Sequence, residues 1–157
     1  MAVQCSVFIA TSLDGYIART DGSIDWLSSA AGAAGGEDFG YADFIATIDA
    51  IVMGRNTYDV VRSFPRWPYG KRPVFVLSSS YPAGGKALSE TVAGTSSGPE
   101  RLAQQISSQG LTRVYVDGGK TIQSFGGTGR DINLRHIETK SYPNGFVQSR
   151  YEVAPAQ

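Results

Sequence analysis

Two short apolar runs, "AIVM" (50–53) and the "VFVL" core of "RPVFVLS" (72–78), are continuous rather than alternating. That is the pattern of strands buried on both faces of a parallel sheet. "VQCSVFIA" (3–10) and "TRVYVDGG" (112–119) read as further strands, the second running into a turn, and "ETVAG" (90–94) as a weaker one. Between the strands the period lengthens. In "EDFGYADFIATI" (37–48) the apolar positions 39, 41, 44, 45 and 48 have helical spacing. Glu37 and Asp38 stand where acidic groups favour a helix N-terminus. "RNTYDVVR" (55–62) predicts a short helix. "GPERLAQQISSQG" (98–110) predicts a longer one, with proline at its start and Gly110 as its stop, and "KTIQSF" (120–125) opens another. Residues 11–36 are rich in Gly, Ser and Ala and read as a loop, of a length that is usually functional or mobile. At the C-terminus "NLRHIETKSY" and "GFVQSRYEV" alternate polar and apolar around "PNG", which predicts a β-hairpin. The sum is a three-layer α/β domain, with a mostly parallel central sheet closed by an antiparallel C-terminal hairpin. There is no internal repeat and no linker that would divide residues 1–157.

Composition narrows the function classes. A chain of 157 residues with 41% hydrophobic content is one domain's worth with a real core. Fourteen basic residues balance fourteen acidic ones, so charge gives no case for nucleic acid or an anionic membrane surface. No run approaches the roughly 18 apolar residues of a membrane span. The N-terminus reads as a strand rather than a signal peptide. The one cysteine, Cys5, excludes an internal disulfide; a buried structural thiol and cytoplasmic residence are the simplest expectations.

Ligands of open α/β sheets bind beyond the carboxyl ends of the strands. Those ends carry Ala10, Thr11 and Ser12; Gly54, Arg55, Asn56 and Thr57; Leu77, Ser78, Ser79 and Ser80; and Asp117, Gly118, Gly119, Lys120 and Thr121. Gly118-Gly119 lets backbone approach a ligand closely, and the following helix start offers free N–H groups to a phosphate. Gly54–Thr57 repeats the design and adds a guanidinium able to grip a phosphate. The serines add small hydroxyl donors. Each group also has a plain structural reading, as a tight turn, a capped helix or a surface loop. Together they suit a ligand with several phosphates, such as a dinucleotide. Neither G-x-G-x-x-G after the first strand nor G-x-x-x-x-G-K-[ST] is present, so the chain is neither a Rossmann dinucleotide binder nor a P-loop NTPase. The sole histidine, His136, falls in the predicted hairpin, and no metal site or Ser-His-Asp triad is supported.

"TSLDGYIA", "DAIVMGRNTYDVV", "VFVLSSS" and "VYVDGGKTIQSF" together resemble the C-terminal reductase domain of RibD, within the dihydrofolate reductase superfamily. The resemblance runs from about residue 4 to 153. It implies the dihydrofolate reductase-like fold, an NADPH-dependent reductase, and commonly a homodimer. The family's riboflavin-pathway member reduces the ribose of 5-amino-6-(5-phosphoribosylamino)uracil. By position, the resemblance implies that Gly54, Arg55, Asn56 and Thr57 meet the cofactor phosphates. Leu77, Ser78 and Ser79 would lie beside the adenosine and its 2′-phosphate, and Gly118, Gly119, Lys120 and Thr121 would form the pyrophosphate turn. Ala10 and Ile17 match backbone positions near the nicotinamide. Arg55 is the expected source of NADPH-over-NADH preference, since a 2′-phosphate needs a cation. Asp38 matches the lone site carboxylate of dihydrofolate reductases, or is a first-turn helix acid only. Asp14 and Asp25 are the alternatives, and water could supply the proton to a sugar carbonyl.

Two departures from the family pattern stand out. There is no deaminase domain, so another pteridine, dihydrofolate or a carbonyl compound could be the substrate; a non-catalytic nucleotide-binding role and a flavin- or folate-binding role on the same fold are the other readings. The second is that "SFGGTGRDINL" passes from helix directly to glycines, where the family continues through a helix end and a strand of on the order of 20 residues. The expectation is a segment missing near 125–127, because deleting a strand would leave buried backbone groups unpaired. An intact mass well above 16.7 kDa would agree with it.

Overall fold

The computed structural model describes residues 3–27, 37–82, 85–118 and 133–154. The chain forms two compact units, Met1–Ile9 with Tyr41–Lys120, and Ala10–Gly40 with Thr121–Gln157.

The first unit is built on six strands: β1 (Gln4–Ser6), β2 (Ala50–Gly54), β3 (Val74–Leu77), β4 (Lys86–Ala87), β5 (Val92–Thr95) and β6 (Arg113–Asp117). They lie in the order β1-β6-β2-β3-β5-β4, with every pairing parallel except β4 against β5. Its helices are α1 (Tyr41–Ala46), α2 (Arg55–Val61) and α3 (Pro99–Ser108). The continuous apolar runs are explained by burial on both faces. Ile51, Met53, Val74 and Val76 face one cluster, which holds Tyr58 and Val61 of α2 and takes in Phe44 and Ile45 of α1. Ala50, Val52, Phe75 and Val114 face the other, with Leu102 and Ile106 of α3. The sheet is thus covered by α1 and α2 on one side and α3 on the other.

Asp49 fastens the amino ends of β2 and β6. Its Oδ2 accepts the Thr112 and Arg113 N–H groups at 2.9 and 2.8 Å. Those bonds to Arg113 and Thr112 hold its carboxyl below the usual carboxylate range.

In the second unit β7 (Leu134–Ser141) and β8 (Val147–Val153) form the expected hairpin, as a two-stranded sheet of its own rather than an extension of the central one. Within the central sheet β6 already has β1 on one side and β2 on the other.

Several boundaries differ from the sequence reading. β1 covers only Gln4–Ser6, and Cys5 on this edge strand is exposed rather than buried. α1 starts at Tyr41, not at 37, because Phe39 and Gly40 have φ of 54° and 80°, a left-handed conformation that cannot enter a right-handed helix. β4 is an additional two-residue strand. The predicted helix at 120–125 and the junction near 125–127 lie outside the described residues.

Candidate functional site

In the first unit the carboxyl ends of four strands fall in register. Met53 pairs with Asp117 on one side and Val76 on the other, and Gly54 with Leu77, which pairs with Thr95. α2, which leads from β2 to β3, covers one face, and α3, which leads from β5 back to β6, covers the other; ligands of open α/β sheets bind beyond such carboxyl ends. Gly54, Arg55, Asn56 and Thr57, with Leu77, Ser78, Ser79 and Gly118, are brought to these ends. Ala10, Ile17 and Asp38 belong to the second unit. Gly119, Lys120 and Thr121 lie outside the described residues.

The β6 turn packs onto the start of α2. A Cβ built on Gly118 would stand 2.3 Å from Thr57 Oγ1, at a φ of +77°. Only glycine meets both conditions. At Gly54, by contrast, an added Cβ would meet no described residue within 4 Å.

The guanidinium of Arg55 is held at two edges. Its Nε donates to Asp59 Oδ2 at 2.8 Å, and its Nη1 donates to the Tyr81 hydroxyl at 2.6 Å. Beside it the chain leaves β3 at Leu77 and turns through Ser78, Ser79, Ser80 and Tyr81: the Ser78 N–H donates to Thr95 O at 3.0 Å, and the Ser80 N–H to Ser78 Oγ at 3.2 Å. On β5 and just beyond, Thr95 and Ser97 are buried polar residues, with the Ser97 N–H donating to Thr95 Oγ1 at 3.1 Å.

Asp117 ends β6 in a knot of tyrosines. Its Oδ2 accepts the Tyr69 hydroxyl, and its Oδ1 the Tyr115 hydroxyl at 2.8 Å. Tyr115 also lies 3.1 Å from Phe8 O, which ties the chain beyond β1 to β6. Burial first, then the Asp117 charge, pushes both tyrosine hydroxyls far above their ordinary range, and Tyr41 shifts the same way. The Tyr69 and Tyr115 hydroxyls thus both face the carboxylate as donors.

Asp38 precedes α1 instead of opening it, and is exposed. Its Oδ1 accepts the Gly40 N–H at 2.9 Å. The hairpin closes this turn: Phe39 packs edge-on against Tyr142 and Phe146, at 4.9 and 5.1 Å between ring centroids, and Gln148 Nε2 donates to Phe39 O at 3.0 Å. Asp14 is a turn residue, with Ser12 Oγ donating to its Oδ1 at 2.5 Å. Asp25 pairs with Arg19 at 2.7 Å. Ala10 and Ile17 are half-buried.

Sequence reasoning missed Tyr81, Asp59 and the tyrosines around Asp117. The i,i+4 spacing of Arg55 and Asp59 was a readable signal, but Tyr69 and Asp117 stand 48 positions apart with no pattern linking them. Among the described residues no group of three or more His, Cys, Asp or Glu could hold a metal, and no helix is long and apolar enough to cross a membrane.

Known proteins share the family and the fold. The model of the RibD C-terminal domain matches residues 4–125. The uncharacterized protein YwjB of Bacillus subtilis is 44% identical over 75 residues, which span 47% of this chain and 41% of that one. A crystal structure from Shewanella sp. PV-4, of a protein provisionally named for riboflavin biosynthesis, superposes with a TM-score of 0.82 at 30% identity, over 99% of this chain and all (100%) of that one. RibD of Acinetobacter baumannii shares the fold at a TM-score of 0.61 and 16% identity; the match spans 98% of this chain and 58% of that protein. The chain belongs to the RibD C-terminal domain family.

Proposed function

We propose that the protein is an NADPH-dependent reductase that delivers hydride to a small heterocyclic or sugar-carbonyl substrate, of the kind reduced in riboflavin biosynthesis. The observation that carries this reading is the convergence of Arg55, Ser78, Ser79 and the Gly118 turn on adjacent strand ends, in a chain of the RibD C-terminal domain family. The residues present fit a dinucleotide phosphate. Among the described residues nothing crowds a Cβ at Gly54, and a guanidinium and small hydroxyls lie on the adjacent strand ends. A bound reduced nicotinamide supplies the hydride. The chain's own residues bind and orient: Arg55 grips the 2′-phosphate, and the Asp117 knot keeps the β6 turn fixed as the pyrophosphate cradle.

Asp38 in this reading is the carboxylate that hands a proton to the substrate, from a turn whose backbone is set by Phe39. By family analogy the working form is a homodimer in the cytoplasm. Dihydrofolate or another pteridine is the alternative substrate.

The test measures binding of NADPH and NADH to the purified chain, then follows nicotinamide absorbance with a ribosylaminouracil phosphate, dihydrofolate and simple pteridines. NADPH is expected to bind more tightly. Arg55→Ala should narrow that preference about 10- to 100-fold, the range for a lost hydrogen bond to a charged group. Failure of both nucleotides to bind at millimolar concentration would end the proposal, and binding without turnover on any substrate would leave a nucleotide-binding role in its place.

A further inference from the structure

Arg55 does not reach its position unaided. Arginine is a long side chain with much rotamer freedom to lose, and here Asp59 and Tyr81 hold the guanidinium in one place, with its carbon 5.5 Å from the Tyr81 ring centroid. Tyr81 is itself fixed. It is 8% exposed, its N–H donates to Ser78 O at 3.1 Å, and its ring lies so close over Gly94 of β5 that a Cβ there would come within 2.6 Å of it. One residue therefore shapes the serine turn and aims the arginine beside it. Asp59 lies one turn along α2 on an exposed surface.

We infer that Tyr81 and Asp59 are positioning residues that set how strongly Arg55 discriminates a phosphorylated from an unphosphorylated ribose. The inference rests on the dinucleotide reading above. The two residues act in opposite senses. The tyrosine hydroxyl is a neutral acceptor: it orients the guanidinium and leaves its full charge for a ligand. The Asp59 carboxylate orients it too, but it is an anion competing with any incoming phosphate. A guanidinium has five donors, and these contacts take one from Nε and one from Nη1, leaving the others for the ligand. Tyr81 thus raises the preference and Asp59 caps it.

The experiment compares adenosine 2′,5′-bisphosphate with AMP, which differ only by the 2′-phosphate, by calorimetry on the full chain at fixed ionic strength, with NADPH and NADH in parallel. Tyr81→Phe keeps the ring over Gly94 and removes the hydroxyl. It should lower the bisphosphate-to-AMP affinity ratio roughly 3- to 10-fold and leave AMP unchanged. Asp59→Asn keeps an acceptor for Nε and removes the charge. It should raise the ratio about 2- to 5-fold and steepen its salt dependence. In an Arg55→Ala background neither substitution should move the ratio.

Equal losses for both ligands in Tyr81→Phe, or effects that persist without Arg55, would overturn the inference. A wild-type preference that Arg55→Ala abolishes but the other two leave intact overturns it alone; a wild type that binds neither ligand, or binds them equally, removes the parent reading as well. Thermal melts confirm folding, and Asp59→Asn, on the helix surface, carries the test if Tyr81→Phe does not fold.

Discussion

The central sheet and the C-terminal hairpin are both ladders of backbone hydrogen bonds, and they are held by different means. In β2, Ala50, Ile51, Val52 and Met53 are all buried, sandwiched between helices. No residue of β7 or β8 is buried, and Leu134, Val147, Tyr151 and Val153 are among the exposed large apolar side chains. The hairpin relies on its ladder and on cross-strand pairs: Arg135 opposite Glu152, Glu138 with Arg150 at 3.3 Å, and Thr139 with Ser149 at 2.9 Å. Hydrophobic patterning therefore means different things in the two regions. A continuous apolar run marked a strand enclosed on both faces. Alternation marked a strand correctly, yet here it marks no buried face.

The contrast can be broken most sharply at Ile51, which is 0% exposed. Ile51→Ala should cost about 2–5 kcal/mol in denaturant unfolding; a loss under about 1 kcal/mol would mean that the sheet does not depend on this packing. An intermediate effect is expected at Asp49. Its carboxyl is held low in the folded chain by backbone N–H donors, so its contribution is present above the ordinary carboxylate range and is lost as pH falls through its folded pKa. Melting temperature against pH should show that acid limb flattened in Asp49→Asn; an unchanged limb would assign it to other groups. The smallest effect belongs to the hairpin. Glu152→Gln should cost about 0.2–1 kcal/mol and lose even that in high salt, and a salt-independent loss would show that the Arg135–Glu152 pair is less exposed in solution than its side chains are here.

How far the fold could be read ahead follows from the same physics. "AIVM", Pro99, Gly110 and the "PNG" turn are local signals, and β2, α3 and the hairpin appear where they predict. The start of α1 was misread because periodicity at 39, 41, 44 and 45 is blind to the left-handed backbone at Phe39 and Gly40. The strand-end residues Gly54, Arg55, Ser78 and Gly118 were legible because parallel strands expose their carboxyl ends to ligands. What holds them was not: Tyr81 reaches Arg55 across 26 positions, and Asp117 gathers Tyr69 from a loop. Such contacts are products of the finished fold.

The turn before α1 has a consequence for the order in which the molecule can be made. Phe39 sits in a conformation that favours glycine, and the groups that hold it there, Tyr142, Phe146 and Gln148, come from the hairpin, with Gln148 109 positions further along the chain. Closing so long a loop is entropically late. During synthesis the segment carrying Asp38 leaves the ribosome long before its clamp does, so it waits unlatched until the last strands are added. A chain cut short before the hairpin would keep the residues of the strand-end site and lose the means of setting Asp38.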